Sequence, residues 1–300
     1  TGVANSANAL TIRASSVLTG SGTLTAANAL SITATTGALT LGSYNVASTN
    51  SSVSLSSVGG TISQTAANTL KSGTTVSIVS TNGTAGVGAI TAGGAVNISG
   101  GYVSTGAITT TTGAGAITMT ATGSVGSITV GAINSASSLT MNAPGGLTFN
   151  AAVTTAGDLT ATTTAGSIAQ GAYNFLSTAG NITLNAGGTV SQGTYSSTGN
   201  VIASAGTVTI TTVGSLSRNI LAGSYINGAN GVTLQTTGSG STLLLQSAVN
   251  SSAGPVSIIG NGSLNLAFTG ATITAAGNVS LTSTNGTMST GALIKSTGGN

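Results

Sequence analysis

The sequence lacks cysteine and histidine and holds a single acidic residue, Asp158, beside four lysines and arginines. General acid–base catalysis, nucleophile activation and metal binding each bring several His, Cys, Asp, Glu or Lys side chains together. One acid does not supply such a group, so we predict that the chain is not an enzyme and holds no cofactor or metal. We place Asp158 in a turn, because a calcium ion needs several oxygen ligands in one place.

Positive charge is scarce too, with a net charge of +3. Arg13, Lys71, Arg218 and Lys295 lie tens of residues apart, whereas binding to a phosphate backbone needs clustered cations. We therefore expect no nucleic acid partner. No apolar run approaches the roughly 18 residues of a membrane-spanning helix, so we expect no such helix. Residues 1–10 also lack the basic and apolar stretches of a signal peptide.

Helical patterning is missing as well. Glycine accounts for 47 of the 300 residues, and no segment shows an apolar stripe of period 3.6. What the chain does have is 39% hydrophobic residues and a mean hydropathy of +0.44, which favour folding over disorder. Short alternating segments rich in Val, Ile and Thr predict half-buried β-strands.

One pattern recurs along the whole chain: an aliphatic residue, then Ser, Thr or Asn, then a second apolar residue. Thirteen starts are spaced by about 22 residues on average, which indicates a repeat architecture. One interval, from Val201 to Val232, is 31 residues long and suggests an inserted loop at 214–230. The starts are Leu10, Leu30, Val53, Val76, Val96, Ile117, Leu139, Leu159, Ile182, Val201, Val232, Val256 and Val279.

A second strand signal follows a glycine within several repeats, as in 60–64, 166–170 and 188–192. About 22 residues accommodate three short strands and three turns, which is one coil of a parallel β-helix. We predict an all-β fold, a right-handed parallel β-helix (β-solenoid) with three strands per coil and roughly 13 coils, in one domain spanning 1–300. The residues expected to point inward include Leu10, Ile12, Leu30, Ile32, Val53, Leu55, Ile182 and Leu184.

Stacked coils also explain the scarcity of charge, because identical side chains lie above one another and like charges would repel. The chain stops at Gly299-Asn300, a dipeptide that elsewhere precedes a strand. We therefore expect an excerpt of a longer repeat rod. Its open ends predict self-association end to end, or pairing with flanking coils of the same chain.

Two segments carry a family resemblance, 180–192 and 277–288, which read GNITLNAGGTVSQ and GNVSLTSTNGTM. They resemble the repeats of filamentous-haemagglutinin-type adhesins that two-partner systems secrete. The resemblance implies a large exoprotein, exported unfolded through an outer-membrane pore and folded outside the cell as a right-handed β-helix. It places the protein outside the cell or on a bacterial surface, with host or cell-surface glycans or proteins as partners.

All five tyrosines occur as Gly-x-Tyr, and they are the candidate surface contacts. One interpretation makes them platforms for sugars or partner proteins, since aromatic rings supply rigid contact area. The other makes them corner residues that pack over a turn, with glycine permitting a tight backbone. The five are Tyr44, Tyr102, Tyr173, Tyr195 and Tyr225.

These observations leave several functions open. The first is a non-enzymatic extracellular structural rod of a bacterial adhesin or exoprotein. The alternative is a self-assembling filament or surface-layer protein built of stacked solenoid units. A minor alternative is an ice-binding solenoid, which by resemblance uses regular rows of Thr on a flat face. The predicted Thr row is interrupted at Val79, Asn142, Asn185, Gln235 and Ile259. A pectate-lyase-type enzyme fails, because the calcium-binding acids and basic catalytic residue of that class have no counterparts here.

Overall fold

The structure, a computed structural model, describes residues 2–15, 20–192, 201–218, 224–266 and 272–300. These residues form 38 β-strands and no helix. The chain divides into two compact units, Thr1–Pro144 and Gly145–Asn300, each described by itself below.

Eighteen strands belong to unit 1. They are β1 (Gly2–Ser6), β2 (Leu10–Ala14), β3 (Ser21–Ala26), β4 (Leu30–Ala34), β5 (Leu39–Ser48), β6 (Val53–Ser57), β7 (Ile62–Gln64), β8 (Thr69–Ser72), β9 (Val76–Ser80), β10 (Thr84–Val87), β11 (Ala89–Ala92), β12 (Val96–Gly100), β13 (Tyr102–Thr105), β14 (Ile108–Thr110), β15 (Ile117–Ala121), β16 (Ser127–Val130), β17 (Ile133–Ser135) and β18 (Leu139–Asn142).

Twenty strands belong to unit 2. They are β19 (Gly146–Phe149), β20 (Val153–Thr155), β21 (Leu159–Thr163), β22 (Ser167–Ala169), β23 (Phe175–Ser177), β24 (Ile182–Ala186), β25 (Val190–Ser191), β26 (Val201–Ser204), β27 (Thr207–Thr212), β28 (Leu216–Arg218), β29 (Tyr225–Gly228), β30 (Gly231–Thr236), β31 (Leu243–Leu245), β32 (Ala248–Ser251), β33 (Val256–Gly260), β34 (Leu264–Leu266), β35 (Thr272–Ala275), β36 (Val279–Ser283), β37 (Met288–Thr290) and β38 (Leu293–Ser296).

The strands of each unit line three sheets, which the chain visits in turn. In unit 1 the first sheet is β2-β4-β6-β9-β12-β15-β18, the second β5-β7-β10-β13-β16 and the third β1-β3-β5-β8-β11-β14-β17. In unit 2 the first sheet is β21-β24-β27-β30-β33-β36, the second β19-β22-β25-β28-β31-β34-β37 and the third β20-β23-β26-β29-β32-β35-β38. The ten-residue β5 belongs to two sheets, because it continues through the corner between them.

Neighbouring strands pair in parallel, so that each residue lies beside its equivalent one turn away. Leu30, for example, pairs with Val53, and Val53 pairs with Val76. This confirms the right-handed parallel β-helix, a β-solenoid of about 12 turns. The sequence indicated 13 starts, and the first sheet does hold seven strands in unit 1 and six in unit 2. The number of turns is smaller than the number of starts because a complete turn needs a strand in all three sheets. Thirteen successive starts enclose only twelve intervals.

The interior is built of apolar columns that run across the turns. Six of the eight residues predicted to point inward are buried, and Leu30 and Val53 are fully enclosed. Leu10 and Ile12 lie in register with Leu30 and Ile32 but are only half-buried. They belong to β2, which forms the edge of the first sheet and has a neighbouring strand on one side only.

One predicted strand start is wrong. Val201 lies in β26 of the third sheet and pairs with Tyr225, whereas the first-sheet strand of this turn is β27, in which Val208 pairs with Ile182. Both segments alternate apolar and polar residues, so the pattern does not distinguish them. With Val208 as the start, the 31-residue interval disappears. The range 214–230 contains β28 and β29, and residues 219–223 lie outside the described residues.

Candidate functional site

The structure does not gather the candidate tyrosines into one site. Tyr44 is buried in β5, at 8% exposure. Tyr102 begins β13 and Tyr173 lies in the turn after β22, and these two rings are the exposed ones, at 45% and 37%. Tyr225, at the start of β29, is half-buried, and Tyr195 lies outside the described residues. Within each unit, the described tyrosines are at least two turns apart.

Tyr44 and Tyr173 occupy equivalent corners between the second and third sheets. The glycine two residues earlier has a left-handed backbone in both cases, with φ of +53° at Gly42 and +65° at Gly171. A Cβ on Gly171 would stand 2.9 Å from the Tyr173 ring, so this ring covers its own glycine. These two Gly-x-Tyr motifs therefore form corners of the coil, and Tyr173 also presents part of its ring to solvent.

An asparagine follows the tyrosine at both corners, and its side chain links consecutive turns. Asn45 Oδ1 accepts a 2.9 Å hydrogen bond from the Thr69 amide, and Asn174 Oδ1 accepts one of 3.0 Å from the Val201 amide. The side-chain oxygen thus satisfies a backbone donor of the next turn, which would otherwise lack a partner at the corner.

The Asp158 side chain also links consecutive turns, at a corner between the third and first sheets. Its Oδ1 accepts hydrogen bonds from the Asn181 amide, at 2.7 Å, and from Asn181 Nδ2, at 3.2 Å. Asn181 Oδ1 in turn accepts from the Thr207 amide at 2.8 Å. Asp158 therefore lies in a turn, as the sequence predicts. Among the described residues there is no group of three or more His, Cys, Asp or Glu side chains that would hold a metal ion.

The corners also contain buried hydroxyl groups that were not predicted from the sequence. Ser72 Oγ lies 2.7 Å from the Ser51 carbonyl oxygen, and Ser177 Oγ lies 2.8 Å from that of Gly157. Each hydroxyl belongs to the last inward-facing residue of a third-sheet strand, and it donates a hydrogen bond to a carbonyl oxygen of the preceding turn. The signal in the sequence is Ser or Thr in the inward phase of a strand, with glycine one to three residues later.

The outer face of the first sheet carries two columns of side chains. The predicted row with Thr33 and Thr120 is a real column in unit 1, and Val79 and Asn142 do interrupt it. The neighbouring outward column consists of Ser, Thr and Asn throughout, and its members are the middle residues of the recurring sequence pattern. Its members from β4 onward are Ser31, Ser54, Ser77, Asn97, Thr118 and Thr140 in unit 1 and Thr160, Thr183, Thr209, Thr233, Ser257 and Ser280 in unit 2.

A shallow groove of about 350 Å³ runs along corners of unit 1, lined only by glycine, threonine and alanine. It offers hydroxyl groups and backbone, and no ionisable side chain. Its lining residues are Gly73, Thr74, Thr75, Gly93, Gly94, Ala95, Thr112 and Ala114.

The most unusual polar group is inside the coil of unit 2. Arg218 is 1% exposed, and its side chain is among the largest that are fully buried. Gln170 and Gln192 occupy the same inward position of the second sheet in the two preceding turns. Burial lowers the pKa of Arg218 to about 9. In the sequence Arg218 is one of four scattered cations, and no local pattern places it in the interior.

No family model matches the chain, and neither the curated proteins nor the solved structures contain a match. In the described part of the chain, no helix is long and apolar enough to cross a membrane.

Proposed function

We propose that the chain is a non-enzymatic structural β-helix of an extracellular bacterial adhesin or exoprotein. The observation that carries this proposal is the stacking of parallel strands, turn upon turn, behind an outward column of Ser, Thr and Asn on the first sheet. Such an assembly supplies length and a regular surface without any catalytic group. The repeats 180–192 and 277–288, which resemble those of filamentous-haemagglutinin-type adhesins, support the same assignment.

Export and folding outside the cell are consistent with the chemistry of the chain. Without cysteine, folding requires no oxidation step. Pairing between successive turns lets the structure grow from one end as the chain emerges from a pore. The test is an antibody against the chain, applied to intact cells that carry the native gene. Surface labelling that protease removes from intact cells supports the proposal, and signal found only after lysis contradicts it.

Glycans or surface proteins are the proposed partners, and the exposed rings of Tyr102 and Tyr173 are the proposed contacts. Binding to glycan and host-protein arrays should fall by about tenfold or more in the Tyr102→Ala or Tyr173→Ala variant if these rings are anchors. Thr183→Ala is the matched control, because it alters a partly exposed residue on a different surface. If the Tyr102→Ala and Tyr173→Ala variants bind as well as the Thr183→Ala control, the two tyrosines are excluded as contacts.

A self-assembling filament or surface layer is the second candidate, favoured by the exposed strand edges at the terminal strands of each sheet. Electron microscopy at low protein concentration distinguishes the filament or surface layer from the adhesin. Regular filaments that persist on dilution favour assembly, and isolated particles favour the adhesin.

Ice binding is the minor candidate, and the unbroken Ser, Thr and Asn column on the first sheet is the observation in its favour. Its test is thermal hysteresis of a purified solution, with Thr183→Lys and Thr209→Lys as the variants that should abolish the effect.

A further inference from the structure

The interior of unit 2 contains a positive charge with no counter-charge near it. Arg218 is the last residue of β28 and points inward. In the same column, the preceding turn contributes Gln192 and the following turn contributes Leu245. Arg218 is therefore fully enclosed, and its neighbours in the column are an amide residue and an aliphatic residue.

One side of this guanidinium donates a hydrogen bond, and the other side has no hydrogen-bond partner among the described residues. Arg218 Nη1 donates a 2.6 Å hydrogen bond to Gln170 Oε1. Arg218 Nε and Nη2 have no hydrogen-bond partner within the described residues. Their N–H bonds point in the same direction, along the edge of the planar group with which arginine holds an anion through two parallel hydrogen bonds.

The neighbouring glutamine is also unsatisfied. Gln192 is 8% exposed, and within the described ranges neither its Nε2 nor its Oε1 has a partner. Gln170, in contrast, is fully used, because its Nε2 donates to the Tyr173 carbonyl oxygen at 2.7 Å. The free groups of this column thus include three nitrogen donors, and a buried donor without a partner destabilises the folded chain.

No carboxylate neutralises the charge. Asp158 is the only acid in the sequence, and it lies exposed at a corner, where its Oδ1 accepts from Asn181. A buried cation without a counter-charge destabilises the folded chain, because it has lost its hydration. The lowered pKa of Arg218 has this cause.

We propose that Arg218 and Gln192 hold a small monovalent inorganic anion of the chloride class inside unit 2. The anion accepts hydrogen bonds from Arg218 Nε and Nη2, with Gln192 Nε2 as the third donor. A single negative charge neutralises the single guanidinium. Because Arg218 is enclosed, the anion enters as the coil winds around it, so binding and folding are linked. This inference does not depend on the adhesin proposal, and either stands if the other fails.

The test is urea unfolding of the full chain, followed by far-UV circular dichroism, as sodium chloride replaces sodium gluconate at constant ionic strength. An anion that binds only the folded chain should raise the folding equilibrium constant up to tenfold for each tenfold rise in chloride above its dissociation constant. The Arg218→Met variant should lose this dependence, and Gln192→Leu should weaken it. The control is Lys71→Met, which removes an exposed cation and should leave the dependence intact.

A second readout locates the anion directly. Crystals grown in sodium bromide should show an anomalous difference peak within hydrogen-bond distance of Arg218 Nη2. This measurement needs no variant, so the test stands even if Arg218→Met does not fold. The proposal is overturned if wild type and Arg218→Met respond equally to chloride, or if ordered crystals show no bromide at this position.

Discussion

Gly42 lies directly against the carbonyl oxygen of Gly20, one turn away in unit 1. A Cβ on Gly42 would stand 2.7 Å from that oxygen, and the backbone φ of Gly42 is +53°. Both the contact and the dihedral angle require glycine. The corner between the second and third sheets can therefore turn sharply here, and Tyr44 packs two residues further along.

Gly42→Ala should lower the free energy of unfolding by about 1–3 kcal/mol, because it adds strain at a left-handed residue and a clash with backbone. Gly113→Ala is the matched control, since a Cβ there meets nothing within 4 Å. Urea unfolding of the two variants checks the prediction. Equal stability of both would show that the corner relaxes without cost.

Lysine substitutions in β24 should separate the inner and outer faces. Ile182 is fully buried, whereas Thr183 belongs to the outward column of the first sheet. Ile182→Lys should cost several kcal/mol or prevent folding, because it buries an unpaired charge. Thr183→Lys should change stability by no more than about 0.5 kcal/mol. The measurement is the thermal unfolding midpoint of each variant. A similar fall of the unfolding midpoint in both variants would contradict the assignment of Ile182 to the inner face and Thr183 to the outer face.

Stability should rise at high pH because of Arg218. Burial lowers its pKa from the ordinary value of an arginine to about 9 in the folded protein. Between these values the unfolded chain binds more protons than the folded one, so the free energy of unfolding increases with pH. The increase reaches at most about 1.4 kcal/mol per pH unit, and below pH 9 the penalty is present in full.

The measurement is the difference in unfolding free energy between wild type and Arg218→Met from pH 8 to 12, in gluconate and without chloride. The two proteins differ only at residue 218, so every contribution that they share cancels in this difference. A difference that stays constant over this range would mean that the Arg218 charge is compensated in the fold.

The 300-residue chain, expressed by itself, should associate through the open edge of its last strands. Met288 and Ile294 continue interior columns in β37 and β38, yet they are 43% and 40% exposed. Unpaired strand edges beside apolar side chains favour the addition of another copy. Light scattering should show oligomers whose size grows with concentration.

Met288→Lys combined with Ile294→Lys should return the chain to monomers, since charge at an edge discourages pairing. The control carries the same added charge on the outer face of β27, which has a paired strand on both sides, as Thr209→Lys with Thr211→Lys, and should still associate. A wild-type chain that stays monomeric at high concentration would refute the edge argument.

The sequence by itself determined the class of fold and the interior of the first sheet. Alternation of period two around Leu30, Val53 and Ile182 predicts which residues point inward, because a strand places successive side chains on opposite faces. The scarcity of ionisable residues, with one acid and four lysines and arginines, is likewise a property of the sequence alone.

Only the tertiary structure decided which segments stack on one another. Val201 and Val208 begin segments with the same alternation, and pairing with residues more than twenty positions away assigns one to the third sheet and the other to the first. The same pairing places Gln170, Gln192 and Arg218 in a single interior column. A polar residue in a strand can face either side, and a shift of one residue in register reverses that choice, so the burial of Arg218 followed from tertiary pairing and not from local pattern.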